Sequence, residues 1–180
     1  SNSIEYYGQF LIKALEPYEL KDLSLCGHSM GGLIALDMVL NHNFPAKELI
    51  LVNSIYPTRV ADALLAKAKV GNGGAANFII KYGLYRRLLG MRNAFSEADD
   101  LVMLDDLDAC NNYELDLNDI KNAEIPISII LGSKDRLVDL KAVENFTDIV
   151  PSQTYRMDEV GHFSFFEDPV ELSRLIATIV

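Results

Sequence analysis

Apolar residues recur along the chain in two spacings, one typical of amphipathic helices and one typical of buried strands. Helical spacing extends over residues 4–15 and 169–179, and the second segment begins at an Asp-Pro pair that favours a helix start. Short, nearly continuous apolar runs occur at residues 23–26, 48–53, 125–132 and 154–158. Strands that are apolar on both faces are typical of a parallel sheet covered by helices on both sides. The pattern therefore predicts an α/β fold with a mostly parallel sheet.

The middle of the chain has a different pattern. Residues 57–113 contain no strand signal. Helices are predicted in this stretch at residues 59–70, 75–89 and 96–109. We therefore expect a first core part at residues 1–56, a helical insertion at 57–113 and a second core part at 114–180.

Composition excludes several classes of protein and partner. The chain of 180 residues carries 16 Lys and Arg against 26 Asp and Glu, a formal net charge of −10. That acidic balance argues against nucleic acids and anionic membranes as partners, because both bind clustered basic side chains. No apolar run approaches the roughly 20 residues of a membrane span. The two cysteines make no disulfide framework, and neither a paired-cysteine motif nor paired histidines at metal-ligand spacing occur. We expect no cofactor, no metal, a small-molecule substrate and a cytoplasmic location.

Residues 27–32 read Gly-His-Ser-Met-Gly-Gly, which matches G-x-S-x-G between a predicted strand and a predicted helix. In that context the pattern predicts a nucleophile elbow, a tight turn that exposes the serine above the sheet in strained backbone geometry. We expect Gly27 and Gly31 to be required, because a Cβ atom at either would collide with the neighbouring strand or helix. The turn also puts Ser29 at a helix N-terminus, where backbone N–H groups favour developing negative charge. Ser29 is therefore predicted to be a nucleophile.

A serine nucleophile needs a base, and three histidines are candidates. His28 lies inside the elbow, where its neighbouring position makes it a poor base for Ser29. His42 lies in a polar turn at a helix end, where we expect a surface role. His162 follows the fourth predicted strand, at the edge where ligand sites gather in open α/β sheets. We therefore predict that His162 is the base.

The base in turn needs a carboxylate that orients it. Asp135 follows the third predicted strand, at the same edge of the sheet. Asp139 is the nearest rival, but its position fits the cap of the following helix. The second strand ends in Asn53, which offers no carboxylate. The chain order serine, aspartate, histidine is that of the α/β-hydrolase fold.

Three blocks of the sequence resemble the α/β-hydrolase family. They are residues 27–32, Gly-Ser-Lys-Asp-Arg-Leu-Val at 132–138, and Gly-His-Phe at 161–163 with Glu-Asp-Pro at 167–169. The resemblance implies an α/β-hydrolase-like fold in which the insertion is a helical cap. It also implies a catalytic triad of Ser29, Asp135 and His162, with the N–H of Met30 as one oxyanion donor.

The resemblance implies a serine hydrolase that cleaves a small, largely apolar ester or lactone through an acyl-enzyme. We expect His28 and Phe163 to line the substrate pocket beneath the cap. A carbon–carbon bond hydrolase or an acyltransferase of the same fold stays open as an alternative. A non-catalytic fragment or binding module stays open as well, because the family's second oxyanion donor comes from a loop that would precede Ser1.

The family's early strands would also precede Ser1, so we expect only the C-terminal strands of the sheet. Three explanations for the missing strands remain open: a chain shortened by design, a proteolytic fragment, and a chain that pairs with a separate N-terminal piece. We favour a fragment of a complete enzyme. The strand at 23–26 would then be an exposed apolar edge, which a second copy or a separate N-terminal fragment would cover. Cys26 is expected in the core, and Cys110 is expected to be structural.

Overall fold

The structure, a computed structural model, describes residues 2–86 and 99–180. Its four strands form one parallel sheet in the spatial order β1-β2-β3-β4. The strands are β1 Leu23–His28, β2 Ala46–Val52, β3 Ile127–Gly132 and β4 Gln153–Met157. The predicted parallel sheet is confirmed. Strand β3 begins at Ile127 rather than at residue 125, because Pro126 accepts a hydrogen bond from Leu49 but has no N–H to donate to a ladder.

Helices connect and cover these strands. Those of the described residues are α1 Ile4–Leu15, α2 Met30–Leu40, α3 Asp62–Val70, α4 Gly74–Gly83, α5 Asp100–Asn112, α6 Leu117–Asn122, α7 Leu140–Ile149, α8 Ser164–Glu167 and α9 Pro169–Ile179. The helices predicted at 59–70, 75–89 and 96–109 correspond to α3, α4 and α5, and the parts of those predictions at 87–98 lie outside the described residues. Helix α3 begins later than predicted because Ala61 still has extended backbone.

Successive side chains of each strand face opposite sides of the sheet, and each side has its own apolar cluster. One cluster joins the strands to α1, α2 and α7 through Ile4, Leu36, Leu49, Leu51, Ile129 and Phe146. The other joins them to α9 through Ile50, Val52, Ile130, Met157, Leu172 and Leu175. Helices therefore cover both faces, which is why the strands are apolar on both sides.

Strand β1 lies at one edge of the sheet and pairs with β2 alone among the described strands. Leu25 packs against the cluster of α1 and α2, so the next side chain, Cys26, points to the opposite face. The cluster beneath α9 includes residues of β2, β3 and β4 but none of β1, and Cys26 is exposed. The expectation that Cys26 lies in the core is therefore wrong.

Helices α3, α4 and α5 pack on one another around a third apolar cluster. Its members include Leu64, Ala68, Ala75, Phe78, Met103 and Leu104. These helices follow β2 in the chain and precede β3. The regular elements that the structure describes between residues 57 and 113 are all helices. The division of the chain into core and cap parts at 56 and 113 stays a prediction. None of the helices in the described ranges is long and apolar enough to cross a membrane.

Candidate active site

Ser29 occupies the turn between β1 and α2 in a strained conformation, with φ 51° and ψ −123°. A Cβ atom at Gly27 would meet the backbone of Gly31 and Gly32, so the close approach of strand and helix excludes a side chain there. At Gly31 an added Cβ atom meets nothing, whereas at Gly32 it meets the side chain of Ser54. The expectation for Gly27 agrees with this geometry, and the expectation for Gly31 is wrong because Gly32 is the helix residue that faces the neighbouring loop.

The structure brings Asp135 and His162 into direct contact. His162 Nδ1 lies 2.9 Å from Asp135 Oδ2, and both side chains are almost fully buried. The other carboxylate oxygen accepts the N–H groups of Leu137 at 2.8 Å and Val138 at 3.2 Å. This arrangement leaves Nε2 of His162 as the ring atom available to a reacting group.

Burial and hydrogen bonding act in opposite directions on Asp135. Burial by itself raises the pKa of the carboxyl group, but the hydrogen bond and charge of His162 and the donors Leu137 and Asn53 outweigh it. The net effect holds the pKa of Asp135 below its ordinary value. Asp135 is therefore an anion at neutral pH, as a carboxylate that stabilises an imidazolium must be.

Asn53 and Ser164 complete this network, and the sequence analysis assigned neither of them a role. Asn53 is fully buried, and its Nδ2 donates to Asp135 Oδ2 at 2.9 Å and to the Gly161 carbonyl at 3.2 Å. Its Oδ1 accepts the Ser164 hydroxyl at 2.7 Å. The signal available in the sequence was an amide side chain at the end of a buried strand, where α/β sheets gather functional groups.

His28 contacts the predicted base through the backbone. Its Nε2 donates to the carbonyl of His162 at 2.7 Å, and its ring lies 4.8 Å from the His162 ring. Burial, followed by the charge of His162, lowers the pKa of His28 to about 4. His28 is therefore neutral and acts as a hydrogen-bond donor, and its ring also packs against Phe163 and Phe165.

Ser29, Met30, His28, His162 and Phe163 all line one cavity of about 460 Å³. Ser29 Oγ makes no hydrogen bond within the described residues, so its hydroxyl is free to meet a ligand. Met30 is the first residue of α2, where backbone N–H groups have no partner inside the helix. The geometry therefore brings the predicted serine, base, N–H donor and pocket residues to a single site.

The rest of the cavity is mainly apolar, and helices α3, α4 and α5 supply much of its wall. The apolar lining includes Ile55, Val60, Leu64, Phe78, Ile79, Met103, Leu107, Leu137 and Val138. Cys110 also lines it, but burial and then the charge of Asp106 raise the pKa of its thiol to about 12, so it stays protonated. A cavity of this size and lining is typical of a site for a small, apolar ligand.

His42 lies apart from this cavity. Its Nε2 is 3.2 Å from Oδ2 of Asp37, a fully buried carboxylate that also accepts hydrogen bonds from Asn41 and Tyr113. The contact with His42 is local to the C-terminal end of α2, whereas the hydrogen bond from Tyr113 joins α2 to the residue that follows α5. Within the described residues, no group of three or more His, Cys, Asp or Glu side chains is arranged to hold a metal ion.

Fold and site together define the class of protein. A strained serine between a parallel strand and a helix, with aspartate and histidine on later strand-end loops, is the arrangement of α/β hydrolases. A model of the alpha/beta hydrolase family matches residues 5–175. The chain belongs to the alpha/beta hydrolase family, so the predicted fold and the prediction of an α/β-hydrolase-type enzyme are confirmed.

Particular relatives are hydrolases too. The chain is 25% identical over 197 residues to pimeloyl-[acyl-carrier protein] methyl ester esterase of Aromatoleum aromaticum, covering 93% of this chain and 77% of that protein. Among solved structures it is similar to a thermophilic esterase, with a TM-score of 0.85, 23% identity and coverage of 99% of this chain and 73% of that one. It is also similar to an esterase from Exiguobacterium antarcticum, with a TM-score of 0.86, 18% identity and coverage of 98% and 73%. A third structure, Est816, is described as an N-acyl homoserine lactone degrading enzyme and gives a TM-score of 0.83 at 18% identity, covering 100% of this chain and 76% of that one.

Proposed function

We propose that this protein is a serine hydrolase that cleaves a small, largely apolar carboxylic ester or lactone with Ser29, His162 and Asp135. The observation that carries the proposal is the 2.9 Å contact of Asp135 with His162, whose ring opens with Ser29 into one apolar cavity. A base held by a buried carboxylate next to a strained serine is the combination that acyl transfer requires.

The proposed reaction has two halves. Ser29 Oγ attacks the carbonyl carbon while His162 Nε2 takes its proton, and the N–H of Met30 donates to the oxygen that becomes negative. When the intermediate collapses, the leaving oxygen takes the proton from His162 and departs as the alcohol, and an acyl-enzyme on Ser29 remains. Water then attacks the acyl carbon, gives its proton to His162, and the acid leaves as Ser29 recovers its proton. Asp135 stays ionised and stabilises the imidazolium in both halves.

The lining of the cavity supports an apolar acyl group as the recognised part of the substrate. Each buried methylene contributes about 0.8 kcal/mol of transfer free energy. Two similar proteins, a methyl ester esterase and an N-acyl homoserine lactone degrading enzyme, are named for substrates that contain an acyl chain and an ester or lactone. We propose the same general class here, without a particular member.

Labelling with a fluorophosphonate tests the nucleophile directly. We expect the wild-type protein to be labelled at Ser29, and Ser29→Ala to lose both the label and the hydrolysis of p-nitrophenyl esters. Ser173→Ala is the matched control, because Ser173 is exposed on α9 outside the active-site cavity. Activity that survives Ser29→Ala unchanged would exclude the proposed mechanism.

The alternatives give different results in the same assays. A carbon–carbon hydrolase or an acyltransferase keeps the Ser29 label but releases a ketone-derived product or passes the acyl group to an acceptor other than water. A binding module gives no label. A partner that covers the β1 edge, whether a second copy or a separate N-terminal fragment, and a cytoplasmic location both stay predictions.

A further inference from the structure

A buried carboxylate outside the Ser29, His162 and Asp135 set lies directly behind the loop that carries His162. Glu167, the last residue of α8, is buried, and its Oε1 accepts the N–H of Gly161 at 3.0 Å. Its Oε2 accepts the N–H groups of Tyr85 at 3.0 Å and Arg86 at 2.8 Å. One side chain therefore joins the segment after α4 to the residue that precedes His162.

Three hydrogen bonds from backbone N–H groups explain how this carboxylate tolerates burial. A buried carboxylate is costly unless donors replace the lost water, and donors to a charged acceptor give stronger bonds than those to a neutral one. Glutamine has the same shape but a single acceptor oxygen. Two separate acceptor oxygens are needed to take donors from both Gly161 and the pair Tyr85 and Arg86, and a carboxylate provides them.

Each backbone N–H and carbonyl group of Gly161 and His162 makes a hydrogen bond. The Gly161 N–H donates to Glu167 and its carbonyl accepts from Asn53, while the His162 N–H donates to the Gly83 carbonyl at 2.6 Å and its carbonyl accepts from His28. A Cβ atom at Gly161 would meet the Gly83 carbonyl oxygen, Glu167 and the Tyr85 nitrogen. The loop thus has no freedom to rotate its peptide groups without breaking contacts with residues 83–86 or with Glu167.

We propose that Glu167 is a positioning residue that fixes His162 with respect to Ser29 by joining the His162 loop to the segment that follows α4. The inference rests on the proposed function of Ser29 and His162. Because α4 also supplies Phe78, Ile79 and Tyr82 to the cavity wall, the element that contacts the substrate and the loop that carries the base are fixed to each other. A substrate that fits against α4 without displacing it meets a correctly placed base.

The test replaces Glu167 with glutamine. The amide cannot accept from both partners, so at least one of the contacts with Gly161 or with Tyr85 and Arg86 is lost. We expect kcat and the rate of fluorophosphonate labelling to fall together by about 10- to 100-fold, since a displacement of about 1 Å at a reacting group has effects of that size. KM should change little, because the cavity wall keeps its residues. Glu171→Gln is the control, since Glu171 is a partly exposed carboxylate that pairs with Arg174 on the same helix.

Two further measurements separate positioning from general loss of structure. Gly161→Ala keeps Glu167 in the chain but places a methyl group against its carboxylate and the Gly83 carbonyl, so it should also lower the labelling rate. Thermal unfolding shows which variants are folded at the assay temperature. Amide hydrogen exchange at Tyr85, Arg86 and Gly161 should become faster in Glu167→Gln. A folded Glu167→Gln protein that is labelled at the wild-type rate overturns the inference.

Failure of the proposed function gives a different result. If the wild-type protein is not labelled at Ser29, the proposed function fails, and the role of Glu167 in catalysis fails with it. If wild type is labelled but Glu167→Gln and Glu171→Gln react equally fast, the proposed function stands and the positioning role alone is excluded.

Discussion

The environment of each ionisable side chain in the site decides its role. Asp135 and His28 are both largely buried, yet they adopt opposite charge states: hydrogen bonds and the charge of His162 favour the anion of Asp135, whereas burial favours the neutral form of His28. Asp135 could be chosen from the sequence because it follows a strand. The hydrogen-bond partners of Asn53 could not be read from its position at a strand end, because Asp135 and Ser164 are 82 and 111 residues away in the chain.

Replacing Asp135 by Asn should reduce kcat by roughly 10³-fold or more, because the amide cannot stabilise the imidazolium and favours the wrong ring tautomer.

The replacement of Asp135 by Asn should also change the acid stability of the protein. The folded-state pKa of Asp135 lies below its ordinary value of 3.8, so its contribution to the free energy of unfolding is complete above that pH and is lost as the pH falls below it.

The measurement for Asp135 is urea unfolding of wild type and Asp135→Asn between pH 5 and pH 2.5. We expect the difference in unfolding free energy to be largest at the upper end and to shrink as the pH falls below about 3.8. Ser173→Ala, at an exposed position on α9, is the control and should show no such trend, because it removes no ionisable group. A difference that grows at low pH would contradict the assigned direction.

At the scale of elements, the strands and long helices follow from apolar runs and helical spacing, because burial on one or both faces leaves a periodic trace. The short helices α6 and α8 leave almost none, since each has six residues or fewer. The proposed role of Glu167 could likewise not be predicted from the spacing of apolar residues, because it depends on backbone donors about 80 residues earlier in the chain. Gly31 and Gly32 are adjacent, and the sequence pattern did not reveal which of them faces Ser54.

The two glycines of the β1–α2 turn give a matched test of this element. Gly27→Ala places a methyl group against the backbone of Gly31 and Gly32, and overpacking of this kind should lower the free energy of unfolding by about 1–3 kcal/mol. Gly31→Ala meets nothing and lies within α2, so it should raise that free energy by about 0.5–1 kcal/mol. Denaturant unfolding of both variants measures the difference, and equal losses would show that the turn does not distinguish the two positions.

At the scale of the whole molecule, the active-site cavity lies between two structural layers with different tasks. The sheet presents Ser29, Asp135 and His162 at the carboxyl ends of β1, β3 and β4, because parallel strands end at the same edge. Helices α3, α4 and α5 close the space above them with apolar side chains. Under the proposed function, the chemistry and the choice of acyl group therefore belong to different parts of the chain.

A larger side chain on α3, α4 or α5 that fills part of the cavity should change which acyl chain lengths of ester substrates are preferred, without changing the nucleophile. Leu107→Trp should reduce kcat/KM for an eight-carbon acyl ester by about 100-fold, because loss of room for about four methylenes costs about 3 kcal/mol. A two-carbon acyl ester and the rate of fluorophosphonate labelling should be almost unaffected. Leu101→Trp, on the same helix but exposed, is the control, and an equal loss for both acyl lengths would place the acyl group elsewhere.

The different burial of the two cysteines gives the protein one chemically addressable thiol. Cys110 lies in the cavity wall with its pKa raised to about 12, whereas Cys26 is exposed on the edge strand β1, although partial burial also raises the pKa of its thiol. A maleimide probe at mildly alkaline pH should therefore attach at β1. Such a reporter would lose its exposure to solvent when any second chain pairs with this edge, so the open edge of the sheet can be observed by fluorescence in an otherwise unmodified enzyme.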